Sequence, residues 1–371
     1  MRLFRFLIVV LLLPAMASAE SAPSTAESAA QKSESEIIFQ TLKGQDLIFA
    51  RRYGQAMEIF DALKRDYPDS PAGDFGTMAA LEIEMLERED FHRESEFLAA
   101  AKEAKRKIGL VMGSRDPGKW NLFLAGSILG LDGFFKARKG KWLDSYTDGS
   151  KSRQIFRRVK EMDPSFVDAD FGLGMYIYWR SVFSRDLWFL RMIPDKRAEG
   201  IAIVEKVASE GRFAKEMAGV NLAVMYIEEK RYEDARQILS QYVARYPSNV
   251  IFRTMLGKTF GALKRYAEGI AQFRAILKEE PSMSKPHYFI GALSVLSGDK
   301  ARFDEAEREL RSFIEGEKGK YWPASAHYWL GKLAEARGNA ELAKQEYGIA
   351  LALNPDVIEA QKRMRALGGG L

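Results

Sequence analysis

The feature that most constrains this chain is a set of small and bulky residues that returns at fixed internal spacing. Gly331 is followed by Ala343, Tyr347, Ala350 and Pro355, at offsets of 12, 16, 19 and 24. The same offsets recur in Ala223, Ala235, Leu239, Tyr242 and Pro247, in Gly257, Gly269, Phe273, Ile276 and Pro281, and in Gly44, Ala56, Phe60, Leu63 and Pro68. Adjacent copies lie about 34 residues apart. Each copy reads as two antiparallel helices that cannot bury their apolar stripes alone, so small residues sit where the backbones cross and bulky ones flank them.

In the final copy the spacing predicts a first helix over about 324–337, with Tyr328, Leu330, Gly331 and Ala334 on one face. Gly338 and Asn339 end it, as residues that tolerate a left-handed backbone. A second helix over about 340–353 turns Leu342, Ala343, Tyr347, Ala350 and Leu351 inward, and Asn354-Pro355 stops it. On these positions the chain resembles the tetratricopeptide repeat family, well over 37–70 and 214–355 and in part between them. The resemblance implies an all-α fold, a right-handed α-solenoid of about eight helix-turn-helix hairpins closed by a C-terminal capping helix.

The first 19 residues read as a cleavable signal peptide: Arg2 and Arg5, an apolar run from Phe6 to Leu13, and Ala17-Ser18-Ala19 before Glu20. That run is shorter than the ~20 residues that span a bilayer. The expected location is therefore periplasmic or secreted. Residues 20–36, rich in Ser, Ala, Glu and Gln, are expected to form a disordered tether. Without Arg2 and Arg5, the remaining 54 basic and 51 acidic residues leave +3, and the charges are interspersed as on solvated helix faces. Near-neutral charge and secretion argue against nucleic acid. The chain has no cysteine, which excludes disulfides, thiol nucleophiles and thiolate metal sites.

Organisation follows the spacing. An N-terminal region, 37–212, holds four hairpins, and a regular array with its cap fills 213–371. Gly126 and Gly130 lie four apart in an apolar helix, but Asp132 and the limited length favour a packed repeat helix over a membrane span. The fourth hairpin is irregular. Residues 180–194 are expected to be an insertion carrying Phe183, Trp188, Phe189 and Met192 with Arg180, Arg185 and Arg191, either packed inward or touching a partner or a membrane surface. The closing helix is expected to bury Ile358, Met364 and Leu367.

No catalytic constellation emerges. His92, His287 and His327 fall in different repeats without metal-ligand spacing, Gly172-Leu173-Gly174 lacks the rest of a dinucleotide fingerprint, and the pairs Glu82/Glu84 and Glu87/Glu89 lie in a charged helix. No cofactor, metal or enzymatic activity is expected. The resemblance implies that first helices line a concave groove through the second, fifth, ninth, twelfth and thirteenth positions of each unit. Carried onto this chain, those positions are Asp168, Phe171, Met175, Tyr178 and Trp179; Met217, Val220 and Val224; Thr254 and Lys258; Lys285, Tyr288 and Val295; and Tyr328, Lys332 and Glu335. Aromatics with a few cations suit an extended or helical peptide. Thr41 and Gln45, Phe171 and Met175, and Val220 and Val224 depart from the lysine and asparagine with which family members grip chaperone carboxyl termini. The expectation is a protein-interaction scaffold of the cell envelope. The rival is a glycan-binding accessory built on Tyr176, Tyr178, Trp179 and Trp188.

Overall fold

The computed structural model describes residues 29–186, 194–317 and 319–368. The expected signal peptide, residues 20–28 of the tether and residues 187–193 of the central insertion, Trp188 included, lie outside the described residues. Among those described there are seventeen α-helices, one short 3-10 turn and no strand. This is an all-α helical repeat fold. Within each compact unit, helices consecutive in the chain pack as hairpins whose first members are odd-numbered.

Two compact units divide at 229/230. The first contains α1 (Ala29–Phe49), α2 (Tyr53–Asp66), α3 (Ala72–Arg88), α4 (Glu94–Gly113), α5 (Lys119–Arg138), α6 (Trp142–Met162), α7 (Asp168–Asp186), α8 (Arg197–Glu210) and α9 (Lys215–Glu228). The second contains α10 (Tyr232–Arg245), α11 (Val250–Ala262), α12 (Tyr266–Glu279), α13 (Lys285–Ser297), α14 (Phe303–Gly316), α15 (Tyr321–Ala336), α16 (Ala340–Leu353) and α17 (Ile358–Ala366). The division falls after α9 rather than at 212/213. α9 packs on α8 and has no capping side chain of its own. Asp168 of α7 supplies the cap, its Oδ1 accepting the Phe213 and Ala214 amides at 2.6 Å each.

The spacing rule has a direct physical cause. A Cβ built on Gly257 would lie 2.7 Å from the Phe273 ring, and one on Gly331 would lie 2.5 Å from the Tyr347 ring. Those rings are the residues 16 positions later in the sequence pattern. Phe60 is gripped twice, by Gly44 of its own hairpin and by Gly76 of the next, and Phe156 likewise by Gly126 and Gly172. Three extra residues in the seventh hairpin form the 3-10 turn Lys300–Arg302, after which Gly291 meets Leu310 in the same way, at 2.6 Å.

Turns between paired helices carry one left-handed residue: Arg51, Glu89, Gly140, Lys230, Lys264, Gly298 and Gly338. In the last hairpin Gly338 alone is left-handed. Asn339 instead caps α16, its side chain accepting the Leu342 amide at 3.0 Å, which corrects its expected role as a second helix breaker.

Three further expectations are revised. α1 begins at Ala29, so 29–36 are helical and not a tether. Ala, Gln, Lys and Glu are strong helix formers and extend a helix that its packed later turns already fix. Residues 180–186 are the last turns of α7, with Ser181, Val182 and Ser184 buried, so the break in the pattern starts later than 180. In α17, Ala360 and Met364 are buried while Ile358 is 60% exposed. Ile358 opens the helix, and α17 packs mainly through Ala360 and Met364, one turn apart, with Leu367 partly buried beside them.

Asp132 does keep α5 out of a lipid setting. It is buried within an ion network, 2.6 Å from Lys105 and 2.8 Å from Lys136, and those partners hold its carboxyl below the usual range against the opposing effect of burial. No described helix is long and apolar enough to cross a membrane.

Candidate partner-binding face

Within the second unit, α13 packs on both α11 and α15, so the first helices of three hairpins form a continuous row. Thr254 and Lys258 on α11, Lys285 on α13, and Tyr328, Lys332 and Glu335 on α15 are all half-buried, as residues on a lined face should be. The two nearest cations stack on rings. Lys258 Nζ lies 4.6 Å from the centre of Phe289, and Lys285 Nζ lies 5.4 Å from that of Trp322. Such contacts hold long, flexible side chains over an apolar floor.

Tyr288 is the floor and not a rim residue. Its ring is buried among Phe289, Phe313 and Trp322, at centroid distances of 5.1, 5.3 and 5.0 Å. Its hydroxyl lies 2.7 Å from Ser325 Oγ and accepts Trp329 Nε1–H at 3.0 Å. Burial holds this phenol above its usual range. Glu335 is committed as well, accepting Tyr347 OH at 2.5 Å and Arg363 Nε at 2.8 Å, which latches α17 onto α15. Lys332 is kept below the usual lysine range by burial and by the neighbouring Arg363. Val295, a further position on α13, is buried.

In the first unit, Asp168, Phe171, Met175, Tyr178 and Trp179 are all buried, and so are Met217, Val220 and Val224 on α9. Those positions are therefore packed within the unit and not presented on an open face. Tyr178 donates to Glu229 Oε1 at 3.0 Å, and burial followed by that carboxylate raises its phenol well above the usual value. Asp168 serves as the cap of α9, and burial holds its carboxyl above the usual range although backbone amides, those of Ala214 and Phe213 first among them, oppose the shift. With Tyr178 and Trp179 enclosed, the glycan reading loses two of its four residues. A third, Tyr176, is half-buried beneath Arg153, whose guanidinium lies 4.9 Å from the ring centre.

Sequence reasoning missed Phe289, Trp322 and Trp329, which supply much of the aromatic surface of α13 and α15. Phe289 and Trp329 each follow a marked position by one residue, and Trp322 lies six residues before Tyr328. The pairs Tyr321-Trp322 and Tyr328-Trp329 were the available signal. The histidines do not converge: His287 Nδ1 lies 2.5 Å from Glu309 Oε2, and His327 Nδ1 lies 2.6 Å from Glu346 Oε2. Each pair ties the two helices of one hairpin. Among the described residues no group of three or more His, Asp or Glu is placed to hold a metal ion.

A family model described as tetratricopeptide repeat matches residues 220–284. No curated protein matches the chain. Among solved structures, the chain resembles a chain of the APC/C hetero-tetramer Cut9–Hcn1, at 15% identity and a TM-score of 0.55, over 91% of this chain and 57% of that one. It also resembles PilF of Pseudomonas aeruginosa, at 19% identity and a TM-score of 0.45, over 67% of this chain and 99% of that one. A likeness to PilW, described as a widely conserved type IV pilus biogenesis factor, has 14% identity and a TM-score of 0.43, over 64% and 97% of the respective chains. The likeness to the Cut9–Hcn1 chain is one of fold. Together with the matched repeats it supports the tetratricopeptide-repeat reading of this chain.

Proposed function

We propose that this chain is a non-enzymatic interaction scaffold whose partner is a protein or peptide bound along α11, α13 and α15. One observation carries the reading: Lys258, Lys285 and Lys332 are spaced along adjacent first helices beside Phe289, Trp322 and Tyr328. The acid on the same row, Glu335, is already neutralised by Arg363. A peptide with acidic side chains or a terminal carboxylate would find cations held at ring faces, with apolar area to bury between them. A peptide display selection on the full chain tests this. Enriched sequences should carry acidic and aromatic residues, and their binding should fall at least tenfold in Lys258→Glu/Lys332→Glu. Enrichment of basic peptides, or binding indifferent to the charge reversal, would overturn it.

We further propose that the scaffold works in a bacterial envelope compartment or outside the cell, on the strength of the basic, apolar and small-residue order of residues 1–19. Chain purified from the native host should begin at Glu20. An intact Met1 terminus in a cytoplasmic fraction would remove that reading.

A further inference from the structure

The start of α6 breaks the rule that the rest of this fold keeps. Trp142, Leu143 and Tyr146 lie within five residues and are 44%, 85% and 63% exposed. The buried face of α6 is supplied by its later turns, through Ser152, Ile155, Phe156 and Val159. α7 continues the same surface. Phe183 lies ring to ring with Trp142 at 6.5 Å, and Tyr176 carries Arg153 on its face at 4.9 Å. Tyr176, Arg180 and Phe183 recur at helical intervals on that helix, and Arg180 is close enough to act on the Tyr146 phenol.

The charge around these rings is mostly positive. Lys141 and Lys151 are exposed on α6 and its entry, and Arg153 and Arg180 flank the aromatic contact. Of the acids nearby, Asp148 is buried against Lys136, which leaves Asp144 as the exposed acid of the α6 stretch before Glu161. A leucine that projects most of its side chain past its neighbours offers no pocket or floor to complement a folded partner. A lipid interface needs none: tryptophan and tyrosine seat their amphipathic rings at headgroup depth, leucine enters the acyl boundary, and surrounding cations face anionic headgroups.

We infer that the first turns of α6, with Tyr176, Arg180 and Phe183 of α7, form a docking surface for a membrane leaflet rich in anionic phospholipid. The chain would lie on that leaflet, since no described helix can span it. This surface is separate from the row of lysines and rings on α11, α13 and α15 and does not depend on it.

The test is vesicle co-sedimentation of the full chain, with a chain beginning at Glu20 run alongside so that the apolar run Phe6–Leu13 does not dominate. Vesicles are phosphatidylglycerol with phosphatidylcholine, against phosphatidylcholine alone. The chain from Glu20 should partition onto the anionic vesicles, less so as salt rises. Trp142→Ser/Leu143→Ser/Tyr146→Ser should lose at least tenfold of that partition with an unchanged thermal melt. Lys141→Glu/Lys151→Glu should lose more than either neutralisation alone, each basic side chain near such a surface being worth roughly fivefold. Equal sedimentation of native and triple variant, or native binding indifferent to lipid charge, would overturn the inference. So would a triple variant that keeps its vesicle partition but loses a co-purifying protein, which would make this face a protein interface.

Discussion

The two compact units solve one packing problem in different ways. In residues 230–368 glycines meet large side chains at regular intervals, and among the described residues Glu346 is the one buried acid. Ion pairs such as Arg337–Asp304 lie on the outside. In residues 29–229 the interior is threaded with charge. Arg138 of α5 donates to Glu82 of α3 at 2.8 Å with both side chains enclosed, and Lys107 of α4 pairs with Asp74 of α3 at 2.7 Å. The regular unit is therefore held by contacts that any hairpin could make with the next. The irregular one is held by contacts that suit one pair of residues only, because an unpaired buried charge is far more costly than a poorly filled gap.

The largest effects should come from breaking each unit in its own idiom. Arg138→Leu should destabilise the first unit by about 3–5 kcal/mol, since Glu82 is left enclosed without its cation. Glu82→Leu/Arg138→Leu should recover most of that loss, read from urea unfolding followed by hydrogen exchange in α3 and α5. In the second unit Phe273→Ala should cost a similar ~3–5 kcal/mol by emptying the space opposite Gly257, with no apolar double variant to rescue it. A neutral Arg138→Leu would erase the distinction between the units.

Acidity should separate them further. Burial pushes Glu82 up to about 7, with Arg138 opposing the shift, against an unfolded value near 4.3. Between those values the folded chain holds a proton that the unfolded chain has released, so this group's contribution falls as pH rises through the window and is level above it. The difference between native and Glu82→Gln should change by up to about 3 kcal/mol between about pH 5 and about pH 8. In the second unit Arg337 and Arg311 hold Glu307 below the usual range, so its contribution is instead lost as pH falls. Parallel pH profiles for native and Glu82→Gln would remove the contrast.

Smaller changes sharpen the account of the regular unit. Gly331→Ala should cost about 1–3 kcal/mol because its methyl meets the Tyr347 ring, and Tyr347→Leu in the same chain should recover part of it. Asn339→Ala should cost about 1 kcal/mol through the lost cap of α16. Lys264, left-handed at a φ of 61°, should gain about 0.5 kcal/mol on change to glycine, a rise in thermal midpoint that Lys278→Gly within α12 should not reproduce.

Much of this fold was legible because its punctuation is local. α6 and α16 begin and end where their flanking Gly, Asn and Pro residues place them, at Trp142–Met162 and Ala340–Leu353. Left-handed Arg51, Lys230 and Lys264 were not legible, since nothing in an arginine or a lysine announces that backbone. The positions marked from the spacing were legible by helix and not by exposure. Thr254, Lys258, Lys285, Tyr328, Lys332 and Glu335 are brought to one row in the second unit, but Asp168, Phe171, Met175, Tyr178 and Trp179 are enclosed in the first. Helical spacing says which residues share a side. It does not say whether a neighbour covers that side.

By itself the sequence determined the hairpins and their crossings, because a glycine and a ring 16 residues later must meet wherever two such helices turn back on each other. The tertiary structure decided which rings are floor and which are surface. Tyr288 is enclosed by residues up to 41 positions away, while Leu143 is 85% exposed. Burial is set by what the chain brings back from a distance, and periodicity along one helix carries no record of that.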